Sequence, residues 1–347
     1  MDRENQITDA ASFIELAADL PVVDVRTPSE YRRGHIPGAV NLPIFSDEQR
    51  AVVGTDYKKR GRVEAILRGL DFVGPEMRSI LSSALKIAGP RKHIALYCWR
   101  GGMRSENMAW LFRLGGIRTT LLRGGYKNYR NYILNAMEAD RKVVIIGGYT
   151  GSGKTKILHI LKEMGEQVID LEDIASHRGS AFGSLGMPDQ PTSEHFANMV
   201  FSELNYTTPS ATLFMEDESR NIGSVFMPDE LYNVIRRSPV IALMPDSASR
   251  TGFLMEEYGK FEPRLLRESV LRISKRLGGD RTREALEAID AGNIKRAVEI
   301  ALEYYDKAYL FGLSKRNQDE VIKLDTSGKS FIDSARLIVK TAGERQK

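Results

Sequence analysis

The run from Gly148 to Thr155 reads G-Y-T-G-S-G-K-T and follows, one glycine on, an apolar stretch, Val143 to Ile146 (V-V-I-I). An apolar strand that enters a glycine-rich turn and leaves it as a helix is the building unit of a parallel α/β sheet. Gly148, Gly151 and Gly153 let such a turn aim backbone N–H groups at phosphate oxygens, with Ser152 inside the same turn. Lys154 adds a point charge, and Thr155 is placed to bind a phosphate oxygen or Mg²⁺. The pattern specifies phosphate and does not separate a triphosphate from a diphosphate. Carboxylates expected at the same sheet edge are Asp170, after the strand Gln167 to Ile169, and Glu216 and Glu218, after Leu213 to Met215. Such acids hold Mg²⁺ or position a nucleophile, or else cap a helix. Arg220 is placed to pair with an acid or a phosphate.

A second strand, turn and helix lies upstream. His93 to Tyr97 ends at the chain's single cysteine, Cys98, and the loop C-W-R-G-G-M-R leads into a helical pattern, Ser105 to Leu114. A thiol there sits where backbone N–H groups converge into an anion-binding nest at a helix start. Gly101 and Gly102 permit the turn, while Arg100 and Arg104 add charged donors beside Ser105. Packing alone gives no reason for two arginines and two glycines beside a core thiol. The arrangement suits a nucleophile that meets an anionic donor, a phosphorus or chalcogen species.

With 347 residues, two domains are expected at about 150 residues each. The boundary is expected in the polar stretch Glu138 to Lys142, giving domains 1–138 and 141–347, the second with a helical C-terminal region that includes Arg264 to Arg276 and Asn293 to Tyr309. One cysteine excludes an intrachain disulfide and any thiolate-clustered metal site, and the five histidines are scattered. The opening M-D-R-E-N-Q is not a secretory pattern, and no apolar run reaches the roughly 20 residues that span a bilayer. A cytoplasmic protein without membrane partners is expected. The net charge of +4 is uneven, with 21 basic against 16 acidic side chains over residues 1–140 and 29 against 30 over the rest. A local basic island, 11 against 6, spans residues 236–283. These surfaces are candidate contacts for a polyanion.

The first half resembles the rhodanese family. The resemblance rests on D-V-R at Asp24 to Arg26, Glu30, G-H-I-P-G-A-V-N at Gly34 to Asn41, the cysteine loop, and L-R-G-G-Y at Leu122 to Tyr126. It implies a parallel-sheet domain over roughly residues 8–135 and a Cys98 that carries sulfur or selenium as a persulfide-type adduct. The loop's C-x5-R spacing also occurs in cysteine phosphatases, although Tyr97 stands where those usually have histidine. Joined to the phosphate loop, and with H-R-G-S-A-F-G at His177 to Gly183, M-E-D-E-S-R at Met215 to Arg220 and R-L-G-G at Arg276 to Gly279, nearly the whole chain is similar to the tRNA 2-selenouridine synthase family.

That resemblance implies a rhodanese-like domain fused to a P-loop NTPase-like α/β domain with a helical extension. It also implies an exchange of sulfur for selenium in the wobble 2-thiouridine of tRNA. Selenophosphate would be the donor, and geranyl diphosphate would first give an S-geranyl intermediate. No tightly bound cofactor and no certain metal follow from it, with Mg²⁺ a candidate. Lys58, Lys59, Arg60 and Arg62, and Arg264, Arg267 and Arg272, are the expected tRNA contacts; Trp99 is a candidate to stack on a splayed base. Two other classes stay open on the residues alone: a cysteine phosphatase fused to a P-loop kinase, and a sulfur-carrier or RNA-binding module.

Overall fold

A computed structural model describes residues 6–345. The chain divides between Ala136 and Met137 into two compact units. The first is a parallel five-stranded sheet built from β1 (Gln6–Thr8), β2 (Val22–Asp24), β3 (Val40–Asn41), β4 (His93–Tyr97) and β5 (Arg118–Leu122), in the order β1-β5-β4-β2-β3. β4 lies between β5 and β2, with helices over both faces, so Ile94 to Tyr97 are all buried and no polar–apolar alternation shows in its sequence. The core packs Ile94 and Leu96 against Met108 and Phe112 of the helix Met103–Leu114 and against Ile80 and Ala84 of the helix Arg62–Ala88.

Local chemistry starts the helices where their caps stand. Thr27 and Ser46 each form a reciprocal capping box, with Glu30 and Gln49, at the starts of Pro28–Arg33 and Asp47–Arg60. The basic region Arg50 to Arg68 is helical almost throughout and turns once, at Gly61, whose φ of 92° is left-handed.

The second unit holds β6 (Val143–Gly148), β7 (Gln167–Ile169), β8 (Leu213–Glu216), a two-stranded antiparallel pair β9 (Asn221–Ile222) and β10 (Val225–Phe226), then β11 (Val240–Leu243) and β12 (Val321–Leu324). Its main sheet is wholly parallel, in the order β12-β11-β6-β8-β7. The phosphate-loop strand β6 is thus central, and the acids at the ends of β7 and β8 reach the same sheet edge. The helices from Ser247 to Ser314 lie between β11 and β12. The chain does not end in them: it returns to the sheet as β12 and finishes in the helix Phe331–Arg345. The helical block has its own apolar core, which includes Leu254, Leu266, Val270 and Ile300.

Candidate functional site

In the first unit, Cys98 is buried at the end of β4. Two glycine-rich segments interlock beneath it. Gly101 has φ +65°, and a Cβ there would sit 2.7 Å from Leu122 O and 2.9 Å from Gly124 N. Gly125, at φ +61°, faces back, so that a Cβ would overlap Cys98 O and Gly101 N. Tyr126 N donates to Cys98 O (2.8 Å) and Lys127 N to Trp99 O (3.0 Å). The L-R-G-G-Y segment therefore braces the cysteine loop by its backbone.

Below this brace, Arg26 is fully buried, forks onto Asp24 (Nη2 to Oδ2, 2.6 Å) and donates to Gly34 O (2.6 Å). Its guanidinium lies 3.8 Å from the Tyr126 ring centroid, and Tyr126 stacks between Tyr97 and Tyr129. The D-V-R segment is thereby an internal ion pair that ties the G-H-I-P loop to the ring under the cysteine. Trp99 packs tilted on Tyr126, at 5.9 Å between centroids.

Above the loop, Ser105 Oγ lies 3.2 Å from Cys98 Sγ and donates to Gly102 O (3.0 Å). Arg104 meets Glu30 with both terminal nitrogens, Nη1 to Oε2 at 2.7 Å and Nη2 to Oε1 at 3.3 Å. Glu30 also accepts from Thr27 N (3.1 Å). Burial pushes its carboxyl up, but Arg104 and the Thr27 N–H outweigh burial and hold it below its ordinary value. Arg100 is exposed.

In the second unit, the loop after β6 turns through Gly148, Gly151 and Gly153, all at positive φ. A Cβ on Gly151 would press Leu254 (3.0 Å) and one on Gly153 would overlap the Phe331 ring. Lys154 opens the helix Lys154–Glu163, with Nζ 3.4 Å from Gly148 O. Thr155 Oγ1 donates to Glu172 Oε2 (2.9 Å). Glu172, Glu216 and Glu218 are all buried. Burial pushes all three carboxyls above the ordinary range. The charge of Asp170 adds to it at Glu172 and Glu216, and that of Glu172 at Glu216 and Glu218, while Lys154 opposes the shift at Glu172 and Glu218. Glu216 Oε2 accepts from Leu171 N (2.8 Å), and its Oε1 has no hydrogen-bond partner among the described residues.

Asp170 takes the helix-cap alternative. It accepts from Asp173 N (2.8 Å) and meets His159 Nε2 (2.8 Å). Arg220 pairs with Asp229 (2.7 Å) and lies over Tyr232 rather than on an acid of the loop. Sequence reasoning missed Glu172; its signal is the D-L-E spacing that sets it two residues after Asp170 at the end of the same strand.

The H-R-G-S-A-F-G turn closes the acidic side. A Cβ on Gly179 (φ +65°) would stand 2.8 Å from Glu172 Oε1 and 3.0 Å from Glu218 Oε2. His177 is buried and accepts from Gly179 N through Nδ1 (3.1 Å); burial, with the charge of Arg272, pushes its pKa down. Beside this turn opens a pocket with about 460 Å³ of space, a figure that includes its solvent-filled mouth. Thr150 of the phosphate loop and Ser180 contribute to its lining, which is otherwise mainly apolar, with Phe182, Leu254, Leu266, Ile289 and Leu302.

The seven expected tRNA contacts differ in how they are held. Lys58, Lys59 and Arg62 are exposed, and no ion pair among the described residues uses them; Arg60 lies 3.6 Å from Asp56. Arg264 is paired with Glu268 (3.1 Å) and Arg267 with Asp290. Arg272 donates to Ser184 Oγ (3.1 Å) and Ala181 O (3.4 Å), which ties its helix to the H-R-G-S-A-F-G turn. Among the described residues no group of three or more His, Cys, Asp or Glu side chains is arranged to hold a metal ion, and no helix is long and apolar enough to cross a membrane.

Against known proteins, residues 141–333 match the family described as tRNA 2-selenouridine synthase AAA domain, and residues 9–132 match the rhodanese-like domain. A tRNA 2-selenouridine synthase of Nitrosomonas europaea is 34% identical, over 91% of this chain and 94% of its own length. Proteins of the same description from Bordetella petrii and Bdellovibrio bacteriovorus are 34% and 33% identical, over 89% and 88% of this chain and 91% and 92% of their own lengths.

Proposed function

The chain belongs to the tRNA 2-selenouridine synthase family, and from that premise we propose that it exchanges the sulfur of wobble 2-thiouridine in tRNA for selenium in two steps, using geranyl diphosphate and then selenophosphate. In the first step the thiocarbonyl sulfur attacks C1 of the geranyl group. The C–O bond to the diphosphate breaks, the uracil N3 proton is lost, and S-geranyl-2-thiouridine forms. In the second step a selenium nucleophile adds to C2 and the sulfur leaves, on taking a proton, as geranylthiol. Alkylation thereby turns a poor leaving group into a neutral thiol.

The observation that carries this reading is the mainly apolar cavity whose lining includes Thr150 of the phosphate loop. A nucleobase placed there would leave its polar edge largely unpartnered, at about 1–3 kcal/mol for each buried group. A ten-carbon prenyl chain has no such edge and gains up to about 0.8 kcal/mol per buried CH₂. Lys154 and the N–H groups of the loop would take the diphosphate and collect the charge that grows on it as the C–O bond breaks.

A magnesium ion fits the same residues. Thr155 and the crowded carboxylates offer hard oxygen ligands, and Glu216 keeps one buried oxygen unpartnered. Thr155 and Glu218 would hold the ion beside the diphosphate, and when bound it would supply positive charge to the leaving group. Selenophosphate, an anion, suits the loop of Cys98 with Arg100 and Arg104. The exposed cations Lys58, Lys59 and Arg62 would track the tRNA backbone, and Trp99 at the loop would meet the splayed base. The cytoplasm, where tRNA is, would be the place of work.

The test supplies purified protein with thiolated tRNA, geranyl diphosphate and selenophosphate and identifies the wobble nucleoside by mass. Lys154→Ala is expected to leave 2-thiouridine unchanged, whereas Cys98→Ala is expected to accumulate the S-geranyl nucleoside without selenium. Undiminished geranylation in Lys154→Ala would remove the assignment of the phosphate loop.

A further inference from the structure

Selenophosphate offers Cys98 two electrophilic atoms, and the loop together with the electron balance distinguishes them. Resting on the selenophosphate reading above, we propose that Cys98 attacks phosphorus, forming a phosphocysteine and releasing selenide, rather than taking selenium onto its sulfur.

Attack on selenium is a redox step. The Se–P bond would break with its electron pair on phosphorus, which would have to leave at the trivalent level, and selenium would arrive on Sγ as a perselenide. Passing that selenium to C2 would leave an Sγ–Se bond that needs two electrons to open. A neighbouring thiol is the ordinary source of such electrons, and Cys98 is the chain's single cysteine.

Attack on phosphorus needs no reductant. The Sγ–P bond forms, the P–Se bond breaks with its pair on selenium, and selenide leaves beside the nucleoside it must enter. Water then attacks the phosphocysteine, the P–S bond breaks, and the thiolate and inorganic phosphate are restored. Selenophosphate and water thus give selenide, phosphate and a proton, with phosphorus pentavalent and selenium at the selenide level throughout.

The side chains match this course. Arg104 stands six residues beyond Cys98 along the loop, where its guanidinium can collect charge on phosphoryl oxygens. Its orientation is fixed from behind by Glu30, itself held in the capping box with Thr27. One edge of the fork is occupied and the remaining N–H groups are left for an oxyanion, so Glu30 is a positioning residue. Ser105 Oγ, 3.2 Å from Sγ, is placed to turn its hydrogen from Gly102 O to the thiolate as it leaves phosphorus. A perselenide, once formed, carries no phosphoryl oxygens for Arg104 to hold.

The full-length protein is mixed with selenophosphate carrying radiophosphorus in one sample and radioselenium in another. A tRNA already bearing S-geranyl-2-thiouridine is present in both, and the mixtures are quenched in acid. Radiophosphorus is expected on the Cys98 peptide and radioselenium in free selenide and in tRNA. Ser105→Ala should raise the trapped phosphorus label roughly tenfold, the effect of losing one hydrogen bond to a charged group. Cys98→Ala should abolish the label and the release of selenide. Glu30→Gln should lower kcat for selenide release several-fold with KM little changed, a split that loss of fold would not give. Selenium label on Cys98 overturns the proposal, as does selenium entering tRNA with no phosphorus label in either the wild type or Ser105→Ala; in both cases the two-step reading stands. If no selenium enters the tRNA in any sample, the reading itself falls and the proposal with it.

Discussion

Glu30 shows how one carboxylate can be read from its surroundings. It is partly buried, which disfavours its charge, yet two hydrogen bonds from Arg104 and one from Thr27 N hold it ionised below its ordinary value of 4.5. A depressed carboxyl means that the unfolded chain binds more protons in the acid range. The pair therefore stabilises the fold at neutral pH, and that stability is lost as pH falls through the folded value. With side chains 17% and 29% exposed, the pair is screened only in part, and about 1 kcal/mol is the expected scale. Glu30→Gln should cost about that much in urea unfolding at neutral pH, and the difference should vanish as the pH falls through and below the lowered Glu30 value. A gap that stays constant with pH would mean that packing, not charge, holds Arg104.

At the scale of elements, the cavity of the second unit makes the sharpest demand. One wall comes from the helix Ile294–Ser314, where Val298 is only half-buried and a larger side chain can enter the space without displacing the core beneath. Val298→Trp should raise KM for geranyl diphosphate about tenfold or more, the loss of one or two buried methylene contacts, and should leave selenium entry into pre-geranylated tRNA unchanged. Steady-state kinetics with each tRNA checks both halves. The strands that carry the two loops were legible in the sequence because β4 and β6 are central, buried on both faces and almost continuously apolar. β1 and β12 were not legible, being edge strands of three and four residues with half-exposed side chains, so the chain's return to the sheet after the helices went unseen. The two loops were legible because each turn fixes glycines at set spacings. The cavity was not, because Thr150, Ser180, Leu254 and Tyr305 lie far apart in sequence and meet only through the fold. Glu172 lay between these cases: its spacing from Asp170 was visible, but its burial against Glu218 was not.

Over the whole molecule the question is where a polyanion settles. The formal charge of +4 suggests little by itself, and sequence marked two basic regions as equals. Pairing separates them. Arg264 and Arg267 are spent on Glu268 and Asp290, and Arg272 on the loop beside the cavity, so moving them to a phosphate would break contacts already made. Lys58, Lys59 and Arg62 stand exposed around the turn at Gly61 and lose only water. Each phosphate neutralised releases counterions and contributes about 0.9 to the slope of log K against log salt on a duplex, and about 0.7 on single strands. Replacing Lys58, Lys59 and Arg62 together by alanine should therefore flatten the slope for tRNA binding by about 2 to 3. The same measurement on Arg264→Ala with Arg267→Ala should return the wild-type slope. Filter binding or fluorescence titration across a salt series decides the matter: a flattened slope in the second variant and not in the first would move the tRNA to the helical block of the second unit.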